Sequence, residues 1–101
     1  MAFNVFISHS TADMKIVDEL GKWLQYFGLG AYVAEHYPQP GIPLPSKVAG
    51  ATDSCDCFIA LLTVDGNRSE FVNQEIGYAL KGGKLVVPIV EEGVIKPKGF
   101  L

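Results

Sequence analysis

Much that would announce a function outright is scarce in this sequence. Basic residues number 8 against 11 acidic ones, for a net charge of −3, whereas a general nucleic-acid binder carries a basic surface. No apolar run approaches the roughly 20 residues that cross a bilayer. The opening, Met1-Ala2-Phe3-Asn4-Val5-Phe6-Ile7, lacks the basic start and long apolar centre of a secretory signal. These absences predict a cytoplasmic protein with no nucleic-acid and no membrane partner. Histidine is limited to His9 and His36 and cysteine to Cys55 and Cys57, a poor zinc set, so no metal is expected. Buried thiols in a reducing cytoplasm are the simpler reading. Two positions apart in an expected strand, they should share one face.

What is present is a chain of 101 residues, 49% hydrophobic and 19% charged, enough for one domain with a real core. Residues 1–101 read as alternating strand and helix. Phe3 to Ile7 is a first strand. Ser10 and Asp13 then have the spacing of a capping box. Ile16, Val17, Leu20, Trp23, Leu24 and Phe27 recur at helical spacing, with Trp23 expected in the core, and Gly28 is a natural stop. Ala31 to Ala34 is a second strand, followed by a loop rich in proline and glycine from His36 to Pro45. A weak helix is predicted from Ser46 to Thr52 or Asp53, and a doubly covered strand over Cys57 to Leu62. Val64 to Arg68 reads as a polar turn, Ser69 to Leu80 as a helix ended by Lys81-Gly82-Gly83, and Leu85 to Val90 as a fourth strand.

Such alternation predicts an α/β fold, a flavodoxin-like doubly wound parallel sheet of order 2-1-3-4 whose fifth strand is missing or truncated. Ligands bind such sheets where the strand order reverses, here between Ser8-His9-Ser10 and Thr63-Val64-Asp65-Gly66. Glu75 lies on the helix fed by that second loop. Its helical neighbours are Phe71, Val72, Tyr78 and Ala79, none of them basic. A carboxylate in an apolar stripe costs free energy, which asks for a reason. Ser8 and Ser10 are candidates for a phosphate or ribose, although Ser10 is equally a helix cap; His9 is a candidate acid or base, though a lone histidine in a turn is more often a polar contact. Amides at that helix start favour an anion.

Three boxes together make the chain resemble the Toll/interleukin-1 receptor (TIR) family, most closely its bacterial and archaeal branch. They are Val5-Phe6-Ile7-Ser8-His9-Ser10, His36-Tyr37-Pro38-Gln39-Pro40-Gly41, and Asn67-Arg68-Ser69-Glu70-Phe71-Val72-Asn73-Gln74-Glu75. The second keeps the family's Pro-Gly but not its charged pair, the third has Phe71 for tryptophan, and the C-terminal Phe-Trp box is absent. The resemblance implies a single TIR-like domain lacking the family's last strand and helix. It further implies an NAD glycohydrolase or ADP-ribosyl cyclase with Glu75 as the catalytic residue, in prokaryotic immune or stress signalling. NAD would be the substrate, with no separate cofactor. Ser8, His9, Ser10, Tyr32, Glu35 and Phe71 are the residues expected to bind it. His36, Tyr37, Pro40 and Gly41 would form a loop for homotypic self-association. The alternative is a non-catalytic module that assembles through the same loop and an exposed sheet edge. A phosphoacceptor receiver of the same fold class is rejected, because the acidic cluster it needs after strand 1 is Ser8-His9-Ser10 here. Nucleoside deoxyribosyltransferases, with a related sheet and a glutamate, are a more distant comparison.

Overall fold

A computed structural model describes residues 3–33 and 46–92. Within them, strand β1 (Asn4–Ser8) leads through a single 3-10 turn (Thr11–Asp13) into α1 (Met14–Tyr26), then β2 (Gly30–Val33). From residue 46 onward come α2 (Ser46–Ser54), β3 (Cys57–Leu62), α3 (Val64–Arg68), α4 (Glu70–Lys81) and β4 (Val86–Val90). All pairings are parallel and the order is β2-β1-β3-β4, as the alternation of elements predicts. The order reverses between β1 and β3, so the crevice opens above Ser8 and Leu62.

Side chains alternate across the sheet and sort the core into two layers. Val5 and Ile7 join Cys57, Ile59 and Leu61 against Val17 of α1. Phe6 joins Phe58, Ala60 and Leu62 against Val48 of α2 and Val72, Ile76 and Ala79 of α4. Phe6 and Phe58 stack with ring centroids 5.0 Å apart. Each large side chain so buried contributes about 1.5–3 kcal/mol. β3 is buried at every position, which explains its unbroken apolar run.

Helix ends follow their sequence signals. Gly28 follows α1 with φ +80°, the left-handed conformation that glycine adopts without a Cβ penalty. Ser69 caps α4 by accepting from the Val72 amide at 3.2 Å. Val64–Arg68, read above as a polar turn, is instead a helix. The Thr63 hydroxyl accepts from the Gly66 amide at 2.9 Å, and Asp65 sits in the first turn, which together offset poor helix formers. The weak helix also runs slightly past its predicted end, to Ser54.

Three further expectations change. Cys55 lies before β3, outside the two-residue repeat, so it packs with α2 and α4 while Cys57 faces α1. The two thiols are on opposite faces and not the same one, both buried and free. Asp13 forms no capping box with Ser10; its carboxylate instead accepts the Thr63 hydroxyl at 2.5 Å. Trp23 is not in the core: it is 61% exposed. Val17, Leu20 and Leu24 fill the α1 contact, and Trp23 lies on the flank beside them.

On β4, Leu85 accepts from the Phe58 amide and the Glu91 amide donates to Leu62. Backbone groups alternate direction along a strand, so Val86, Pro88 and Val90 turn theirs to the open edge. Pro88 therefore leaves the β3 ladder intact and removes a donor on the open side only.

Candidate functional site

Parity along β1 decides what meets at the crevice. Ser8 follows Phe6 by two residues and so points to the same face, toward α4. On α4 the spacing of Val72, Glu75, Ile76 and Ala79 puts all four on the buried side. Glu75 is fully buried, as is Ser8, and the Ser8 hydroxyl donates to Glu75 Oε1 at 2.5 Å. A bond between a hydroxyl and a carboxylate is short and strong for its kind. The anomaly of helical spacing is thus a carboxylate enclosed by protein and aimed at the C-terminal end of β1. Ser8 serves to orient it and is not simply displayed to a ligand.

The opposite face holds a second polar group. His9 is buried, with Nδ1 3.2 Å from the Ile7 carbonyl oxygen and Nε2 3.1 Å from Met14 Sδ. Next to it runs the chain Gly66 amide to Thr63 hydroxyl to Asp13 carboxylate, which ties the loop after β3 to the start of α1. Sequence reasoning bounded the crevice with Thr63 but missed this bridge. The signal was available: Thr63 continues the parity of Ile59 and Leu61, which points it to the α1 side where Asp13 starts the helix. With Asp13 already at that terminus, a pyrophosphate there would meet a carboxylate, which weakens the anion expectation.

The remaining candidates separate. Ser10 is half-buried and caps the 3-10 turn, accepting from the Ala12 amide at 3.3 Å. Phe71 sits one turn before Glu75 on α4, half-buried. Tyr32 packs against Phe6 with ring centroids 5.3 Å apart and lines a cleft with Asn4, Gly30, Ala51 and Cys55, toward the N-terminal ends of the strands and away from Glu75. Glu35, His36, Tyr37, Pro40 and Gly41 lie outside the described residues. Among those described, no cluster of three metal-binding side chains occurs and no helix is long and apolar enough to cross a membrane.

The arrangement can hold one carboxylate in a dry place at a parallel sheet's binding edge. There it can stabilise positive charge on a bound group or fix that group's hydroxyls.

No protein of curated function matches the sequence. Solved structures do match the fold. The TIR domains in the activated Roq1 resistosome, which directly recognizes the pathogen effector XopQ, superpose with a TM-score of 0.73 at 19% identity over 89% of this chain. The match spans 58% of that chain, so this sequence corresponds to little more than half of it. The TIR domain of the Toll-related receptor TRR-2 from Hydra magnipapillata gives 0.76 at 17% identity, over 93% of this chain and 74% of its own. The CMP N-glycosidase BcmB of Clostridium botulinum gives 0.63 at 23% identity, over 86% and 71%. The model of the TIR domain itself matches residues 5–100, and the chain belongs to that family.

Proposed function

We propose that the chain cleaves the nicotinamide–ribose bond of NAD, as a hydrolase or a cyclase, with Glu75 as its catalytic residue. One observation carries this reading: a fully buried carboxylate, oriented by Ser8 at 2.5 Å, beside the strand-order reversal. A buried charge is expensive to keep, and its position is the one where this topology binds ligands. Membership of the TIR family supports the same reading. The similarity to a CMP N-glycosidase adds that this sheet is compatible with breaking an N-glycosidic bond.

The chemistry asks little of the protein. Glycoside hydrolysis ordinarily needs two carboxyl groups because one must protonate a poor leaving group. Nicotinamide takes the electron pair of the breaking C–N bond and departs as a neutral pyridine, so no proton is delivered. What remains is a ribosyl group that grows positive at its anomeric carbon. Glu75 stabilises that charge, directly or through the ribose hydroxyls. Water, or a nucleophile within the substrate, then closes the bond at the same carbon and loses a proton. Removing one such fixed group costs about 10²–10³ in rate.

Self-assembly through residues 36–45 is part of the proposal and would place that loop against a neighbouring copy. The test is nicotinamide release from NAD by the purified protein over a range of concentrations. Release should fall at least a hundredfold in Glu75→Gln, and turnover unchanged by that substitution overturns the assignment.

A second reading, a non-catalytic assembly module, draws on the exposed apolar side chains of β4. It requires that NAD be untouched at every protein concentration while self-association weakens on substitution of Pro40 or Gly41.

A further inference from the structure

Hydroxyl-to-carboxylate bonds brace the crevice in opposite senses. Ser8, ending β1, donates to Glu75 of α4, and Thr63, following β3, donates to Asp13 at the start of α1. Both bonds are 2.5 Å long, and Ser8, Glu75, Thr63 and Asp13 are all buried. The first bond lies on the α4 side of the sheet and the second on the α1 side. From Thr63 a path of bonds leads on to the helix that carries Glu75. The Thr63 oxygen accepts the Gly66 amide at 2.9 Å, which fixes the first turn of α3. Glu91 takes the neighbouring Val64 amide at 3.0 Å, but that bond is exposed and water competes for it. Between α3 and α4 stands Ser69 alone. Its amide donates to the Gly66 carbonyl at 3.2 Å, and its hydroxyl oxygen accepts the Val72 amide at 3.2 Å. Its carbonyl accepts from both the amide and the side chain of Asn73. With amide, hydroxyl and carbonyl of that elbow engaged, α3 and α4 are one rigid piece, and Glu75 rides on its second turn.

We infer that Asp13 and Thr63 are positioning residues for Glu75, acting through α3 and the Ser69 elbow. The reason is topological. At a strand-order reversal the connections after the two central strands leave on opposite faces, and the crevice opens between them. Here the connection after β1 runs to α1, and the one after β3 runs to α3 and α4. The Thr63–Asp13 bond crosses that divide and sets the distance between the two walls. Ser8 and Asp13 stand at the two ends of the connection after β1, so both braces pull on the same short segment. Without the Asp13 tie, Ser8 alone would hold the α4 wall to β1, and a hydroxyl–carboxylate bond that short leaves little room for displacement. The effect on turnover rests on the catalytic role proposed for Glu75; the effect on where its carboxylate sits does not.

The carbon-13 signal of the Glu75 side-chain carboxyl, assigned by its loss in Glu75→Gln, reads that placement without any substrate. It should move in Thr63→Val, which cuts both the tie and the α3 cap, and in Asp13→Ala, which cuts the tie and spares the cap. Thr63→Ser keeps the hydroxyl and should hold the signal at the parent's position. Circular dichroism, with every measurement well below each melting midpoint, confines the comparison to folded protein. With NAD, Thr63→Val and Asp13→Ala should each lose at least about tenfold in kcat while KM changes less than about threefold, and Thr63→Ser should keep the parent's rate. A Glu75 signal that stays at the parent's position in both tie-cutting variants overturns the inference, because the tie would then hold the frame and not the carboxylate. So does a parent that cleaves NAD and loses no kcat in either variant. If the parent leaves NAD intact, the proposed function falls, and the carbon signal alone decides for or against the positioning role.

Discussion

Removing the Ser8 hydroxyl tests the energetic role of the buried pair before any substrate is in hand. In Ser8→Ala the Glu75 carboxylate loses a donor 2.5 Å away while both positions stay sealed from water. Hydrogen bonds to charged groups contribute about 1.5–3 kcal/mol. For a domain of 101 residues, a loss of about 2 kcal/mol lowers the melting midpoint by about 8–16 °C. Glu75→Leu fails differently: it relieves a buried carboxylate but leaves the Ser8 hydroxyl without its acceptor, at about 1–3 kcal/mol. The double variant Ser8→Ala/Glu75→Leu replaces both partners with apolar groups of similar size. It should lose less than the two single losses added together, the difference being a coupling of about 1.5–3 kcal/mol. Urea denaturation of the four proteins, with equal slopes in denaturant, supplies the cycle. If Ser8→Ala unfolds within 0.5 kcal/mol of the parent and the two changes simply add, the pair is not coupled and the positioning role given to Ser8 is wrong.

Other expectations concern the frame around the site. Thr63→Val keeps the shape but strands the Asp13 carboxylate and the Gly66 amide, and should cost about 2–3 kcal/mol by chemical denaturation. Gly66→Ala drives a Cβ into the Leu61 carbonyl oxygen; a loss of at least about 2 kcal/mol is expected, and a melting curve like the parent's refutes that placement. Burial holds the Cys55 thiol, against the pull of Lys84, and the Cys57 thiol above their ordinary value of 9.0. The folded chain keeps those protons longer than the unfolded one, so their contribution is full below about pH 9 and is lost as pH climbs through the raised folded values. The melting temperature should therefore decline above about pH 9, less steeply in Cys57→Ala.

The sheet was legible because its strands obey simple rules: unbroken apolar runs, glycine after helices, parallel order from alternation. Glu75 was legible for the opposite reason, as a violation of helical periodicity, and burial is what resolved it. Parity was also enough to bring Ser8 to it. The misreadings share a different cause. Trp23 has the right period for α1, but period assigns an arc of the helix and not how much of that arc is covered. Asp13 fits a cap by local spacing, yet the Thr63 hydroxyl, fifty residues away, offers a better partner. Cys55 breaks the strand repeat because the strand begins only at Cys57. Val64–Arg68 holds poor helix formers, and a capping threonine outweighed them.

Pro88 has a consequence for how the chain behaves when crowded. An exposed parallel edge with Leu85, Val87, Ile89 and Val90 along it would ordinarily template another strand, and then another, without limit. With the nitrogen at its centre unable to donate, an incoming strand must forgo a bond or slip register, and a slip reverses which side chains meet. Growth by edge addition is thereby made discontinuous at the first step. One imino acid thus biases a sticky edge away from polymer. Pro88→Val, which restores the donor, should make the protein form thioflavin-positive aggregates on concentration, where the parent does not.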